Sequence, residues 1–247
     1  MLNMFIQGLE MKKTVLIVGG SSGIGLETAN YLSNGDKWRV IVCGLERIIS
    51  EEIYSIETDI RSNSAVNSLY NDIIDKYGDV HALVYTVGIS TKIKPIEQFD
   101  EQIWQNIIDT NVTGLLRVLK KFHKSLKITK GRVVVVNSIA GKSYSKYSGF
   151  EYTASKAALS GIVRQLAMEW SHEGVLINSI FPSMTMSPML RNHLDDVQIR
   201  AIEESLPLKK LATSTDTARA IEFLLAAENR YITGSGIDVS GGLILNG

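Results

Sequence analysis

Two residues in the second half of the chain, Tyr152 and Lys156, have the types and the spacing needed to move a proton. In a helix, side chains four positions apart lie on one face, so the Lys156 ammonium can lie beside the Tyr152 phenol. A neighbouring positive charge favours the phenolate and lowers its pKa from about 10 toward the working pH. The spacing therefore predicts a general acid or base, with an ordinary surface pair as the alternative.

Two further polar residues favour the chemical interpretation of this pair. Ser138 follows the four valines at 133–136, which read as a buried strand, and so lies at the carboxyl edge where open α/β sheets bind ligands. Asn111 lies inside an apolar helical pattern, where an amide lowers stability unless it has a partner. We predict that both belong to the site of Tyr152 and Lys156. The alternatives are a cap for Ser138 and a helix-bending backbone contact for Asn111.

A glycine-rich loop near the start of the chain predicts a phosphate-binding turn. It reads Gly-Gly-Ser-Ser-Gly-Ile-Gly over 19–25 and stands between a predicted strand and a predicted helix. Glycine lets the backbone approach a pyrophosphate, and a helix begins with free N–H groups and the positive end of its dipole. The Gly-x3-Gly-x-Gly spacing differs from the common Gly-x-Gly-x2-Gly fingerprint, and a plain tight turn is the alternative. The predicted dinucleotide contacts here are Gly19, Ser21, Ser22, Gly23, Ile24 and Gly25.

The elements that must position these residues follow from the hydrophobic pattern. Short apolar runs alternate with longer amphipathic stretches, which is typical of a parallel sheet covered by helices on both faces. The runs predict strands at 15–18, 40–43, 53–56, 82–85, 133–136, 176–180 and 237–239. The stretches predict helices at 24–32, 65–76, 101–127, 152–171 and 216–226, the last with a cap region at 214–216. We therefore predict a doubly wound α/β domain with a seven-stranded parallel sheet.

The limits of this domain and one short connection are also read from the pattern. We predict that the domain covers 11–247, because the strand pattern follows directly on a methionine at position 11. Residues 1–10 are then an extension, which lacks the basic start of a signal peptide and for which the sequence leaves both order and disorder open. The stretch 44–52 is too short for a crossover helix, so we expect a loop there that opens one side of the nucleotide site.

Composition excludes several classes of function. Lys plus Arg and Asp plus Glu number 26 each, so no net charge attracts nucleic acid or an anionic membrane. No apolar run approaches the roughly 18 residues that a membrane span requires. The single cysteine, Cys43, excludes an intrachain disulfide and favours a reducing, cytoplasmic location. A small molecule is therefore the expected partner.

Taken in order, these motifs resemble those of the classical short-chain dehydrogenase/reductase family, in particular its 3-oxoacyl-carrier-protein reductases. The likeness covers 12–247, and the ordered set is far more specific than any one motif. The matching pieces are Gly19-x3-Gly23-x-Gly25, Asn111, Val136-Asn-Ser138-Ile-Ala-Gly141, Tyr152-x3-Lys156, Asn178-Ser-Ile-Phe-Pro182 and Asp238-Val-Ser-Gly-Gly242. The resemblance implies a single-domain Rossmann-type fold and an NAD(P)-dependent oxidoreductase that interconverts a secondary alcohol and a ketone without a metal.

The family's roles can be transferred to the matching positions. Tyr152 would be the acid in reduction and the base in oxidation, and Ser138 would bind the substrate oxygen. Lys156 would bind the nicotinamide ribose as well as tune Tyr152, and Asn111 would hold a water that passes protons to Lys156. Asp59 could accept a hydrogen bond from adenine, or it could be a simple turn residue. Further cofactor contacts implied by the likeness are Ile60, Gly88, Tyr152, Lys156, Pro182 and Thr185, with Ser187 as an additional candidate for the carboxamide.

The choice between the two nicotinamide cofactors depends on the end of the second strand. An acid there would bind the 2′-hydroxyl of NAD, but the strand ends in Gly44-Leu45. Arg47 is near enough in sequence to bind a 2′-phosphate, and Glu46 is near enough to oppose it. We therefore favour NADP(H) over NAD(H).

Two segments depart from the family pattern at the glycine loop. The family usually has a Thr at the position of Val18, and its hydroxyl bonds to an Asn-Asn-Ala-Gly segment that here reads Tyr-Thr-Val-Gly over 85–88. Because both ends of this link differ, we expect the contact to be repacked, with an effect on cofactor affinity and stability.

Several expectations concern the substrate and the assembly. We expect 184–206 to form a lid, with simple core packing as its alternative, and the loop at 142–150 to supply specificity residues. The candidates there are Tyr144, Lys146, Phe150 and Glu151. The resemblance implies an interface between copies of the chain through the helices at 101–127 and 152–171, and so a homotetramer, or a homodimer. The substrate is a 3-oxoacyl thioester or a sugar or other secondary metabolite, and a non-catalytic dinucleotide sensor is the remote alternative.

Overall fold

The computed structural model describes residues 12–186, 188–191 and 194–244. Within them, seven strands form one sheet in the order β3-β2-β1-β4-β5-β6-β7, and every neighbouring pair is parallel. The strands are β1 (Lys13–Val18), β2 (Trp38–Gly44), β3 (Ile53–Glu57), β4 (Ala82–Tyr85), β5 (Arg132–Val136), β6 (Leu176–Pro182) and β7 (Gly236–Val239). The predicted doubly wound fold is confirmed, and each predicted strand agrees within two residues at either end. The predicted extension at 1–10 and Ser187 lie outside the described residues.

Helices cover both faces of this sheet. They are α1 (Gly23–Ser33), α2 (Asn63–Tyr77), α3 (Glu101–Ile108), α4 (Gly114–Thr129), α5 (Phe150–Trp170), α6 (Pro188–Arg191), α7 (Asp196–Ser205) and α8 (Ser214–Leu225). The side chains of β5 show how the layers are joined. Val133 and Val135 pack in the cluster that contains α4 and α5, whereas Val134 and Val136 pack with α8 on the other face. A strand buried on both faces explains the unbroken valine run.

The predicted helix at 101–127 is interrupted in the structure. A π-helical turn, Asp109–Thr113, separates α3 from α4 and carries Asn111. The Tyr85 hydroxyl donates a hydrogen bond of 2.9 Å to the Thr110 carbonyl in this turn, and the Asn111 amide bonds to the Ile89 backbone. The Tyr85 hydroxyl thus gives a backbone carbonyl of the turn a partner, and the Asn111 side chain ties the turn to the loop after β4. The hydrophobic period alone could not reveal the interruption.

Two local predictions about connections can be compared with the structure. No helix lies between β2 and β3, as predicted, and the chain there is held by a bond from the Ile48 N–H to the Ser55 hydroxyl. The cap of α8 is Thr213 rather than a residue of 214–216. Thr213 accepts from the Asp216 N–H, and Asp216 accepts from the Thr213 N–H, which is a capping box. The helix therefore begins two residues before the predicted position.

The segment predicted as a lid forms a small core of its own. Apolar side chains of α7 and its flanks are buried against one another, namely Leu194, Ile199, Ile202, Leu206 and Leu211. Tyr147, Met184, Met186 and Leu190 pack at the edge of this cluster. This core is thus separate from the two clusters that cover the sheet, and Tyr147 of the 142–149 loop packs against it. Whether it moves as a lid stays a prediction.

Candidate active site

The glycine loop lies at the carboxyl end of β1 and is shaped by close contacts. Gly19 has a φ of +88°, a value that favours glycine, and its N–H bonds to the Cys43 carbonyl of the next strand. A Cβ at Gly25 would overlap the Gly19 carbonyl. At Gly23, by contrast, a Cβ would meet nothing within 4 Å, so this residue faces open space. The loop is therefore closed toward the sheet and open toward a groove.

This cofactor groove has a volume of about 490 Å³ and crosses the carboxyl ends of the strands. α1 begins at its floor, and Ser22 is the N-cap residue without a side-chain cap bond. The hydroxyls of Thr58 and Thr110 are buried in the groove wall and have no partner among the described residues. The predicted cofactor contacts that line the groove are Gly19, Ser21, Ser22, Gly23, Ile24, Gly25, Asp59, Ile60, Gly88, Tyr152 and Lys156.

Ser138, Tyr152 and Lys156 meet where this groove joins a second cavity. The Ser138 hydroxyl lies beside the Tyr152 phenol, and the Lys156 Nζ donates to the Val136 carbonyl at 3.1 Å. Burial raises the pKa of Tyr152, and the neighbouring Ser138 hydroxyl opposes that rise. Burial also lowers the pKa of Lys156 to about 8. The three predicted side chains are therefore brought together.

The pKa of Tyr152 differs from the sequence prediction. We expected the Lys156 ammonium to lower it, but Lys156 Nζ lies 5.7 Å from the centroid of the Tyr152 ring. The ammonium bonds to the end of β5, so burial dominates the titration of the phenol. The helical spacing placed both residues on one face correctly, but it did not determine where the flexible lysine side chain ends.

Asn111 is bound on three sides in the π-helical turn. Its Oδ1 accepts from the Ile89 N–H at 2.8 Å, and its Nδ2 donates to the Ile89 carbonyl and to the Ser155 hydroxyl, both at 2.9 Å. Ser155 in turn donates to the Tyr152 carbonyl at 2.7 Å. The side chain thus connects the loop after β4 with the first turns of α5. The helix-bending alternative and a role beside the site are both compatible with this geometry.

The link between β1 and β4 is present with its donor and acceptor exchanged. The Thr86 hydroxyl donates to the Val18 carbonyl at 2.9 Å, so the strand without a Thr at its end contributes backbone instead of side chain. Val18 is fully buried and needs no polar partner. The Thr86 oxygen also lies where a Cβ on Gly19 or Gly25 would stand. The contact between the ends of β1 and β4 is therefore repacked, as expected.

At the end of the groove where the sequence analysis expects adenosine, Glu46 lines the wall and Arg47 does not. Arg47 is exposed and is not part of the groove wall, because the loop after β2 carries it outward. Arg61 lines the groove instead, and its guanidinium binds both oxygens of Asp59 at 2.8–3.2 Å. The hydrogen bonds from Arg61 lower the pKa of Asp59. Asp59 is thus already engaged, and Arg61 is a residue that the sequence analysis missed.

The second cavity, of about 380 Å³, opens beside Ser138 and Tyr152 and is called the substrate cavity below. Its wall includes Ser90 from the loop after β4, the segment 143–148, and the predicted residues Pro182 and Thr185. Tyr144 and Lys146 line it, as predicted for specificity residues. Phe150 and Glu151 do not, because Phe150 packs beside Phe99 and Glu151 is fully buried. Ser90 had no motif that could have identified it.

Metal and membrane features were also sought among the described residues. No three or more His, Cys, Asp or Glu side chains converge there in a way that could hold a metal ion. Within the same residues, no helix is both long and apolar enough to cross a membrane. Cys43 is buried at the groove floor, and burial raises the pKa of its thiol to about 12.

Known proteins share this fold and this order of motifs. A family model described as enoyl-(acyl carrier protein) reductase matches residues 19–244. The 3-oxoacyl-(acyl-carrier-protein) reductase FabG of Staphylococcus epidermidis is 29% identical over 250 residues, which is 95% of this chain and 100% of that protein. The chain therefore belongs to the short-chain dehydrogenase/reductase family. It is accordingly an oxidoreductase that acts on hydroxyl and keto groups.

Two solved structures extend the comparison. The aldohexose dehydrogenase of Thermoplasma acidophilum superimposes with a TM-score of 0.88 at 24% identity, covering 96% of this chain and 97% of its own, and shows the shared fold. ElxO with NADP bound gives a TM-score of 0.86 at 28% identity, covering 94% of this chain and 98% of its own.

Proposed function

We propose that the chain is an NADP(H)-dependent reductase of ketones in which Tyr152 is the general acid. The observation that carries this proposal is the meeting of Ser138 and Tyr152 at the junction of the groove and the substrate cavity. A bound nicotinamide would supply the hydride. In the reverse direction, alcohol oxidation, the same phenol would act as the base.

Residues of the chain fit a dinucleotide along the whole groove. The open face of Gly23 and the start of α1 suit a pyrophosphate, since the first N–H groups of a helix lack internal partners. The buried hydroxyls of Thr58 and Thr110 would gain a partner from a ligand. Near the junction, Lys156 would bind the ribose, and its bond to the Val136 carbonyl would fix the ammonium in place. Pro182 and Thr185 would face the nicotinamide from the substrate cavity.

The proton step uses the phenol and its two neighbours. Tyr152 would donate its proton to the ketone oxygen while the Ser138 hydroxyl holds that oxygen. The raised pKa of Tyr152 keeps the phenol protonated at neutral pH, which suits an acid in reduction. We retain the predicted relay in which a water held by Asn111 passes a proton to Lys156. The bonds from Asn111 to Ile89 and Ser155 also fix the start of α5.

Three observations support NADP(H) as the cofactor, and one acid in the groove wall, Glu46, opposes it. No acid terminates β2, where Gly44 and Leu45 stand, and a relative of 28% identity is solved with NADP bound. A cation, Arg61, lines the adenosine end of the groove. We therefore propose that Arg61, rather than the exposed Arg47, supplies the charge near a 2′-phosphate.

The cofactor assignment is tested by fluorescence titration with NADPH and NADH. We expect Arg61→Ala to weaken NADPH binding by roughly tenfold, because an ionic contact with phosphate is lost, and to change NADH binding little. Arg47→Ala is the matched control and should leave both affinities unchanged. If only Arg47→Ala weakens NADPH binding, the phosphate contact belongs to Arg47, as the sequence predicted. Tighter binding of NADH than of NADPH would refute NADP(H) as the cofactor.

The wall of the substrate cavity supports a polar ketone as substrate. Seven serines line it, namely Ser90, Ser138, Ser143, Ser145, Ser148, Ser183 and Ser205. Apolar residues such as Leu190 and Leu194 line the same cavity, so a ligand that has both hydroxylated and apolar parts fits it. This favours a sugar-like or other secondary-metabolite ketone.

A 3-oxoacyl thioester is the second candidate, and it is supported by the name of the FabG relative. One observation opposes it. An acidic carrier protein would need exposed lysines, and the exposed Lys127 of α4 is paired with Glu173 at 2.7 Å, so its charge is partly neutralised. The end of α4 that carries it also lies at the amino edge of the sheet, away from the active site within one chain. Lys127 is therefore a poor contact for a carrier protein that must deliver its thioester to Tyr152.

Turnover measurements distinguish these candidates. Purified protein with NADPH would be given 2,3-butanedione, a keto-sugar and acetoacetyl-CoA, and the loss of absorbance at the nicotinamide band would be followed. We expect the highest kcat/KM with a polar ketone. A clear preference for acetoacetyl-CoA would support the thioester instead. Tight NADPH binding without any turnover would favour the non-catalytic sensor.

The assembly and location also stay proposals. The outer faces of α4 and α5 expose Leu116 and Met168 at 42% and 64%, beside Gly161, where a Cβ would meet nothing within 4 Å. We propose that these faces join copies of the chain into a homotetramer, or a homodimer, which sedimentation equilibrium would test. The cytoplasmic location is testable by cell fractionation.

A further inference from the structure

A buried charged cluster lies next to the active site but outside its predicted residues. Glu151 precedes Tyr152 in the chain, has no exposed surface, and accepts a hydrogen bond of 3.0 Å from the Thr91 hydroxyl. Lys94 Nζ lies 3.2 Å from its other oxygen. Lys94 is only 16% exposed in its side chain, so the pair is largely removed from water. A carboxylate in such a place requires partners, and it has two of them from one loop.

The loop after β4 is therefore fastened at two points. Asn111 binds the N–H and the carbonyl of Ile89 at one point, and Glu151 binds Thr91 and Lys94 at the other. The Gly149 N–H also donates to the Thr91 carbonyl at 2.8 Å. Glu151 and Thr91 fill the space that a side chain at Gly149 would need. The loop, the 142–149 segment and the start of α5 are thus held as one unit.

Ser90 lies between the two fastened points. It lines the substrate cavity together with Ser138 and Tyr152. No hydrogen bond to its hydroxyl is found within the described residues, although its neighbours on both sides are bound. A free hydroxyl whose backbone is fixed on either side is well placed to bind a substrate, because little freedom remains to be lost.

We propose that Ser90 is a substrate-binding residue of the ketone site and that Glu151 is the residue that positions it. The proposal rests on the proposed function, because it assumes that the substrate cavity holds the ketone. Ser90 would contact a polar group of the substrate beside the reacting carbonyl. Glu151 acts through Thr91 and Lys94 on the loop, and it takes no part in the proton step.

The first test is a double-mutant cycle with the best ketone of the turnover panel. Ser90→Ala and Glu151→Gln should each raise KM by roughly three- to tenfold, as for one lost hydrogen bond, with kcat nearly unchanged. In the Ser90→Ala background, Glu151→Gln should add no further increase, since its effect passes through Ser90. Glu169→Gln is the matched control, because Glu169 is an exposed residue of the same helix.

Three results would overturn the proposal. One is a Ser90→Ala variant with the KM of the wild type. Another is a Glu151→Gln effect that adds in full to that of Ser90→Ala. The third is a shift in the pH profile of kcat in Glu151→Gln, which would mean that Glu151 acts on Tyr152 directly. If Glu151→Gln fails to fold, Thr91→Val removes only the hydroxyl contact and enters the same cycle.

Hydrogen exchange followed by mass spectrometry tests whether Glu151 fastens the loop, independently of whether the protein reduces a ketone. Peptides that contain residues 89–95 should exchange faster in Glu151→Gln than in Glu169→Gln, while those of the glycine loop stay the same. Unchanged exchange at 89–95 would refute the fastening role, whether or not any ketone is reduced. Absence of turnover in the wild type, with faster exchange at 89–95, would instead refute the ketone reductase and leave Glu151 as the residue that fastens the loop.

Discussion

The cofactor groove and the substrate cavity meet at Tyr152 but are built in different ways. The groove lies across the ends of β1 to β4, and its shape depends on backbone positions such as Gly19 and Gly25 that admit no side chain. The cavity is formed largely by loops, and its wall combines serine hydroxyls with apolar side chains such as Ile139 and Met184. Shape set by the backbone restricts the residue type at each position, whereas a loop wall can change its side chains without changing the fold.

Tyr152 lines both regions, so replacing it should give the largest difference between the effect on kcat and the effect on NADPH binding. We expect Tyr152→Phe to lower kcat by about 10²- to 10⁴-fold, because the proton donor is lost. The NADPH dissociation constant should stay within about twofold of the wild type, since the aromatic wall is kept. Stopped-flow turnover and fluorescence titration measure the two quantities. Comparable losses in both would mean that the two regions are not separable at this residue.

On the cavity side, the largest effect on stability should come from the ion pair of Lys94 and Glu151. Lys94→Met leaves a buried carboxylate without its cation and should lower the free energy of unfolding by about 3 kcal/mol. Adding Glu151→Gln to Lys94→Met should recover part of the loss, because the uncompensated charge is gone. Urea unfolding of the single and double variants provides the measurement. A double variant less stable than Lys94→Met would contradict this account.

On the groove side, Gly25→Ala should damage binding and stability together. Its Cβ would overlap the Gly19 carbonyl and crowd the Thr86 hydroxyl, so we expect a loss of about 2 kcal/mol in the free energy of unfolding. NADPH affinity should fall with it, because the loop must shift. Gly35→Ala is the control, since its nearest neighbour would be 3.9 Å from the new Cβ. Equal effects at Gly25 and Gly35 would show that the groove tolerates side chains.

The smallest expected effect concerns the pH dependence of stability at the junction. Burial lowers the folded-state pKa of Lys156 to about 8 from 10.5, so the unfolded chain binds more protons between these values. Stability should therefore rise with pH in this window, by about 1 kcal/mol from pH 8 to pH 9. The rise should be absent in Lys156→Met, where no ammonium is buried. Chemical unfolding at pH 7, 8 and 9 checks it, and parallel curves for both proteins would contradict the assigned cause.

The same contrast explains what could be predicted from the sequence. The strands and the glycine loop were predictable, because burial on two faces and exclusion of a Cβ leave few residue types possible. Ser138, Tyr152 and Lys156 followed from strand end and helical spacing. The position of Arg47 and the partner of the Lys156 ammonium were not predictable, because both depend on how loops and long side chains turn. Glu151 binds a partner 60 positions away in the chain, and no local pattern marks such a contact, whereas the link between Val18 and Thr86 was located through the family resemblance.

The π-helical turn Asp109–Thr113 also gives one segment two tasks. Buried positions continue at helical spacing through the turn, from Ile107 to Leu115 and Phe122, so the apolar face of the segment is not divided. The same turn places the buried Thr110 hydroxyl in the groove wall and the Asn111 amide against the loop after β4. The segment therefore supports the core and shapes the groove with a single run of residues.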